Sequence, residues 1–237
     1  MTKPNTTLIS VLLDCSGSMA RTANDTIGGF NNFLSEQKKG TDEARMTFAQ
    51  FNSDYKISFN GMPLAVVPDL TNDTYECGGY TALLDALGRT IDDIGAKLSS
   101  LPESERPESV VVVVITDGEE NSSEEYTKDR IAEMVKTQTD VYNWQFLFLG
   151  ANIDAIQNGG AVGVAQTKSM NYQQHNAGEM FKAVSANMTS YRSTKSADDL
   201  NFTAAQRLAN SVVGAAPAVD VSVRPIDISI DLKSLVK

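Results

Sequence analysis

The spacing of apolar positions along the chain changes repeatedly between two periods, which predicts alternating strands and helices. Short apolar runs typical of buried strands occupy residues 8–13, 109–116 and 144–149. Between residues 82 and 98, apolar residues recur every three or four positions, the spacing of an amphipathic helix. The alternation predicts an α/β fold with an open, mostly parallel sheet and helices on both faces.

Weaker patterns predict the remaining elements. Two short runs at 46–51 and 55–59 are separated by the turn residues Asn52, Ser53 and Asp54, which predicts an antiparallel hairpin. Helical spacing predicts helices over 27–38, 124–136, 154–158 and 179–191, and a last strand is predicted over 162–166. The helix over 179–191 should bury one stripe, formed by Phe181, Val184, Met188 and Tyr191.

The pattern weakens beyond residue 194, so we expect one domain over residues 1–195 and a C-terminal extension over 196–237. The extension should contain a short helix over 202–213 and a linker over 214–217. Residues 219–232 alternate between apolar and other positions around Pro225, which predicts one or two edge strands. Such a segment either adds to the edge of its own sheet or pairs with a second copy or a partner, giving self-association.

Composition narrows the classes of partner and the compartment. The net charge is -10 and the pI about 4.6, so the long-range field opposes nucleic acid and anionic membrane surfaces. No apolar run approaches the ~20 residues that cross a bilayer. Cys15 and Cys77 are too few for a disulfide framework. We therefore expect a cytoplasmic protein whose two cysteines stay reduced.

Polar residues lie in three predicted loops at the edge where an open α/β sheet binds ligands, the second of which leads into the helix over 82–98. They are Asp14-Cys15-Ser16-Gly17-Ser18, Gly78-Gly79-Tyr80-Thr81 and Thr116-Asp117-Gly118. Taken singly, each has a local explanation, because Asp14 and Thr81 suit helix caps and the serines and Asp117 suit turns. Together they supply two carboxylates and three hydroxyls, an all-oxygen set that suits a hard cation such as Mg²⁺ or Mn²⁺.

The ordered set Asp14-x-Ser16-x-Ser18, Thr81 in Gly-Gly-Tyr-Thr-Ala-Leu and Asp117 in Ile-Thr-Asp-Gly resembles the metal-ion-dependent adhesion site of von Willebrand factor type A domains, most closely those of the stand-alone bacterial or phage kind. The resemblance covers about the first 195 residues. It implies a six-stranded sheet with one antiparallel edge strand, here 55–59. It also implies that Asp14, Ser16, Ser18, Thr81 and Asp117 hold Mg²⁺, Mn²⁺ or Ca²⁺, partly through water, and that a partner protein's Asp or Glu completes the shell.

Three further residues are expected at the rim of this site: Tyr80, Glu119 and Glu120. Tyr80 could contact a partner, whereas the two glutamates would repel an acidic one unless they point away. We expect a protein-binding adaptor and not an enzyme, because no nucleophile with an adjacent base is apparent. The alternatives are a Mg²⁺-dependent phosphohydrolase using Asp14, which would need a second aspartate where Ser16 stands, and a structural component of a viral or other large assembly.

Overall fold

The computed structural model describes residues 2–211, and its centre is one six-stranded sheet in the order β3-β2-β1-β4-β5-β6. All neighbouring strands are parallel except β2 and β3, so β3 is an antiparallel edge strand. The predicted α/β fold and its antiparallel edge are confirmed. The strands are β1 (Lys3–Asp14), β2 (Glu43–Phe51), β3 (Tyr55–Pro63), β4 (Pro107–Thr116), β5 (Gln145–Ala151) and β6 (Ser169–Tyr172).

Helices cover both faces of this sheet. Their bounds are α1 (Ala23–Lys38), α2 (Leu83–Ser100), α3 (Lys128–Tyr142), α4 (Ala155–Ala161), α5 (Ala177–Thr194) and α6 (Ala204–Ser211). Helices α1 and α5 pack on one face, where Phe30, Phe33 and Phe181 form an aromatic cluster. Helices α2, α3 and α4 cover the other face. The stripe predicted on α5 is buried as expected.

The central strands are largely apolar because both of their faces are covered. Along β1, Ile9, Val11 and Leu13 face the α1 and α5 side, while Leu8 and Leu12 face the opposite core. Alternate side chains of a strand point to opposite faces, so a strand buried on both sides shows no polar period. The two central strands, β1 and β4, therefore form a rigid platform whose carboxyl ends lie side by side.

The last strand was predicted in the wrong place. Residues 162–166 contain no strand, and β6 is Ser169–Tyr172. Val162 and Val164 are buried because they pack under the sheet beside α3 and α4, with Gly163 at φ +86 between them. These two valines are apolar because they are buried within a loop. The strand itself has only four residues and a partly polar sequence, so its pattern is weak.

The helix predicted from residue 124 begins instead at Lys128, with the Thr127 side chain as its N-cap. The preceding residues are bound to α2. The Asp85 carboxylate accepts the backbone N–H groups of Glu124, Glu125 and Tyr126 at 2.8–2.9 Å. These bonds hold the segment as a loop, because its backbone N–H groups are already bound to the Asp85 side chain.

The first part of the C-terminal extension packs on the same body. Leu200 and Phe202 are buried in the core beside α5, and the predicted short helix is present as α6. The division of the chain at residue 195 remains a prediction, and the strand-like tail predicted for 219–232 lies outside the described residues. Within residues 2–211, no helix has the length and apolar character needed to span a bilayer.

Candidate metal centre

The candidate centre lies where the sheet topology reverses. From β1 the chain runs outward to β2 and β3, then returns to β4 on the other side of β1. Asp14 is the last residue of β1, and Thr116 ends β4 directly before Asp117. Because β1 and β4 are parallel neighbours in register, with Leu13 beside Ile115, their carboxyl ends open one crevice. The two aspartates predicted from sequence therefore meet at one edge.

Hydrogen bonds connect four of the five predicted ligands. The backbone N–H of Ser16 donates to Asp14 Oδ1 at 2.7 Å, and the hydroxyls of Ser16 and Ser18 lie 3.1 Å apart. Ser18 Oγ donates to Asp117 Oδ1 at 2.5 Å. The first and third loops thus converge on a single cluster of oxygens.

Thr81 joins this cluster beside Gly118. A Cβ added to Gly118 would lie 3.0 Å from Thr81 Oγ1 and 3.7 Å from Ser18 Oγ. The missing side chain leaves room between the second and third loops for the hydroxyls of Thr81 and Ser18 to approach the same space. All five predicted residues are therefore brought together at one edge of the sheet.

Backbone contacts hold the second loop in place. Gly17 donates its N–H to the Gly79 carbonyl at 3.2 Å, and Gly78 donates to the Cys15 carbonyl at 2.9 Å. Thr81 exchanges two bonds with Asn121, donating its N–H to Oδ1 at 2.9 Å and accepting the Asn121 N–H at 3.1 Å. The backbone of Thr81 is thus held beside the third loop.

Asp14 is fully buried and Asp117 is only 4% exposed. Burial raises the pKa of both carboxyl groups, while hydrogen bonds from Thr116 to Asp14 and from Ser18 to Asp117 oppose the rise. Thr116 Oγ1 donates to Asp14 Oδ2 at 2.6 Å. None of the ion pairs among residues 2–211 includes either aspartate. Two buried carboxylates without a cationic side chain are costly unless a cation neutralises them.

The donor set of this site fits a hard cation. Residues 2–211 contain no group of three or more His, Cys, Asp or Glu side chains arranged to hold a metal, so any ion here relies on hydroxyl and water oxygens as well as two carboxylates. Ser18 is exposed, whereas Ser16 and Thr81 are buried. The cluster therefore opens to solvent on one side, where an ion and a further ligand could enter.

The three predicted rim residues differ in environment. Tyr80 is 70% exposed, and Glu119 is exposed as well. Glu120 is half-buried and its carboxylate is engaged: Oε2 accepts the backbone N–H of Leu84 at 2.9 Å, and Oε1 accepts that of Ser123 at 2.7 Å. Glu120 therefore serves the start of α2, a favourable place for a carboxylate.

Two residues that contact the centre were not anticipated from sequence. Tyr75 donates its hydroxyl to the Asp14 carbonyl at 2.6 Å. Gln174, which follows β6, donates from Nε2 to the Ser18 carbonyl at 3.1 Å and also to Asp117 Oδ2. Neither residue belongs to a recognisable motif, so only the folded chain brings them to the site.

Cys15 and Cys77 are free thiols, and burial raises the pKa of Cys15 to about 12.

Comparison with solved structures gives matches at the level of the fold. Proximal thread matrix protein 1 from the mussel byssus, with a zinc-occupied MIDAS motif, matches with a TM-score of 0.55 at 15% identity over 78% of this chain and 48% of that one. A von Willebrand factor type A protein from Catenulispora acidiphila matches with a TM-score of 0.51 at 14% identity, over 81% and 43%. A mutant of the PilB minor pilin from Streptococcus sanguinis gives 0.54 at 10%, over 81% and 63%.

The chain spans about half the length of most of these solved structures. None of the curated proteins compared with it matches. A family model for the von Willebrand factor type A domain matches residues 9–158, which include all five candidate ligands. The chain therefore belongs to the von Willebrand factor type A domain family.

Proposed function

We propose that this chain is a divalent-cation-dependent protein-binding module. Asp14, Ser16, Ser18, Thr81 and Asp117 hold the cation, and an Asp or Glu side chain of a partner protein completes its shell. The observation that supports this most strongly is the pair of buried aspartates linked to hydroxyls, with no cationic side chain from residues 2–211 paired to them. A bound cation supplies the positive charge that this arrangement lacks.

The oxygen donors favour Mg²⁺, with Mn²⁺ and Ca²⁺ as close substitutes. Both Asp14 carboxylate oxygens already accept hydrogen bonds, from Ser16 and Thr116, so Asp14 is suited to act on the ion through water. Hydroxyl ligands donate little negative charge, and the ion therefore keeps a strong attraction for one more carboxylate.

The rim favours a particular kind of partner. Glu119 repels a strongly acidic segment. Tyr80, which is 70% exposed, offers an aromatic surface beside the cation. We therefore propose that the partner presents a single carboxylate flanked by apolar residues.

The phosphohydrolase alternative is disfavoured by the surroundings of Asp14. A nucleophilic aspartate must reach phosphorus, but the Asp14 side chain is fully buried and both of its oxygens accept hydrogen bonds. We propose a binding role without catalysis.

The test pairs substitutions of the same chemistry inside and outside the site. Wild type, Asp14→Asn, Asp117→Asn and the exposed control Asp73→Asn are titrated with Mg²⁺ and Mn²⁺ by calorimetry, with circular dichroism to verify folding. Each protein is then applied to a peptide array in which every peptide carries one Asp or Glu, beside its Asn or Gln counterpart. We expect cation-dependent capture of the acidic peptides by wild type and Asp73→Asn alone. Equal capture in EDTA, or by folded Asp14→Asn, would refute the proposal.

A further inference from the structure

A cavity lies at the opposite end of the sheet from the metal centre. Strands β1, β2 and β4 begin there, and β3, which runs antiparallel to β2, ends there. The cavity has a volume of about 320 Å³ and is lined by residues of these strands, of the end of α2 and of the loop that follows α2. None of the five candidate metal ligands lines it. It is therefore a separate feature of the molecule.

Two cationic side chains meet at the backbone of Asn60 and Gly61, beside this cavity. Lys97 Nζ donates to the Asn60 carbonyl, and Arg45 Nη1 donates to the Gly61 carbonyl at 3.0 Å. A Cβ on Gly61 would lie 2.5 Å from Lys97 Nζ, so the missing side chain leaves the space that the ammonium occupies. Gly61 also has a φ of +67, a conformation that favours glycine. The glycine thus allows two cations to lie close together.

The cavity has more cationic than anionic side chains. Glu43 pairs with Lys3 at 2.5 Å and lies 3.6 Å from Arg45 Nε. The ion pairs among residues 2–211 include neither Lys97 nor Glu105, the other carboxylate of the lining. Burial and the charge of Arg45 lower the pKa of Lys97. The lining therefore has a surplus of one positive charge, in a chain whose net charge is -10.

Part of the lining is apolar. Leu8 is buried, and Leu98 and Leu101 are half-buried. The volume of about 320 Å³ lies at the lower end of the range of roughly 300–1,000 Å³ that small-molecule sites span. A ligand that suits this cavity combines one negative group with a small apolar body.

We propose that this cavity binds a small organic monoanion, a carboxylate whose oxygens accept hydrogen bonds from Lys97 and Arg45 and whose apolar body packs on Leu8, Leu98 and Leu101. The planar guanidinium fork matches the two oxygens of a carboxylate. A surplus of one positive charge favours a monoanion over a phosphate dianion, because the second charge of a dianion stays unneutralised beside the two glutamates. The inference goes beyond the proposed function, since the cavity and the cation centre lie at opposite ends of the sheet.

The test titrates the full chain with benzoate in EDTA, so that no cation at the metal centre can bind the carboxylate. Benzyl alcohol is the uncharged counterpart, inorganic phosphate is the dianion, and amide chemical shifts in NMR spectra locate the site. We expect benzoate to shift the Gly61 amide and its neighbours. Benzyl alcohol and phosphate should bind at least about tenfold more weakly, which is the loss expected when one charge-assisted hydrogen bond is missing.

Two variants each remove one of the cations: Lys97→Met and Arg45→Gln, with circular dichroism to verify folding. The matched controls are Lys182→Met and Arg130→Gln, at exposed positions outside the cavity. We expect each cavity variant to bind benzoate at least about tenfold more weakly than wild type, and each control to keep the wild-type affinity. Asp14→Asn should keep it as well, whether or not the metal centre binds a cation.

Three results would overturn this inference. The first is unchanged benzoate affinity in folded Lys97→Met and Arg45→Gln, and the second is a set of shifts centred on the carboxyl ends of β1 and β4. The third is binding of phosphate or benzyl alcohol as tight as that of benzoate, which would exclude a monocarboxylate as the ligand class. The proposed cation site is tested separately with Mg²⁺ and Mn²⁺, so failure of one proposal leaves the other standing.

Discussion

Gly118→Ala tests whether the space between the second and third loops is needed for the ion. The change adds one methyl group, which would lie 3.0 Å from Thr81 Oγ1 and 3.7 Å from Ser18 Oγ. The φ of Gly118 lies outside the left-handed region, so alanine meets no backbone penalty there. Because 3.7 Å is an ordinary van der Waals contact, the perturbation falls on the position of the Thr81 hydroxyl.

The size of the effect follows from the tolerance of metal geometry. An ordinary Cβ···O contact requires Thr81 Oγ1 to move by a few tenths of an ångström, whereas Mg²⁺ demands near-octahedral oxygens within about 0.2 Å of 2.0–2.1 Å. Changes that misorient metal ligands typically reduce affinity by about 10- to 100-fold. We expect a loss of that size for Mg²⁺, and a smaller loss for Ca²⁺, whose coordination is more flexible.

The assay is calorimetric titration of both ions, with unfolding by urea measured in EDTA. Gly95→Ala, in α2, is the matched control, because a Cβ there meets no atom within 4 Å. This variant should keep the wild-type metal affinity and gain up to about 1 kcal/mol of stability, since alanine favours a helix over glycine. Gly118→Ala should change stability by less than about 1 kcal/mol. Wild-type Mg²⁺ affinity in Gly118→Ala would show that the Thr81 hydroxyl does not hold the ion.

Two further substitutions test the framework around the site. Gly29→Ala places a Cβ 2.4 Å from the Phe181 ring, so the free energy of unfolding measured in urea should fall by about 1–3 kcal/mol. The adjacent Gly28→Ala has open space around its Cβ and should be neutral or stabilising. Equal stabilities of the two variants would contradict the packing of α1 on α5. Thr116→Val removes the hydroxyl that donates to buried Asp14, and should cost about 1–3 kcal/mol in EDTA; an unchanged urea midpoint would show that this bond contributes nothing.

The five candidate ligands could be predicted because they lie in three short segments, two at strand ends and one before a helix, whose order resembles the metal-ion-dependent adhesion site. Asp14 follows an apolar run broken only by Ser10, and Asp117 follows the run 110–115 and Thr116, so each marks where a buried strand ends. Parallel strands bring such ends to one edge, and the order of the elements then predicts the crevice. The same apolar runs predicted the sheet, because strands covered on both faces are the most distinctive pattern in the sequence.

The conformation of segments that is determined by contacts with distant residues could not be predicted. Val162 and Val164 looked like a strand because they are buried by α3 and α4. Residues 124–126 looked helical, but Asp85 from α2 takes their N–H groups. Gln174 donates to Asp117 across a sequence separation of 57 residues, and a local sequence pattern does not indicate such a contact.

The central claim is that one divalent cation is held by Asp14, Ser16, Ser18, Thr81 and Asp117. The most direct measurement is a crystal structure of the full chain grown with Mn²⁺, with anomalous diffraction used to locate the ion. We expect one strong peak at the ends of β1 and β4, with the hydroxyl oxygens of Ser16, Ser18 and Thr81 at about 2.0–2.6 Å and the aspartates bound directly or through water. A peak elsewhere on the molecule, or one at this edge that Thr81 does not contact, would contradict the claim.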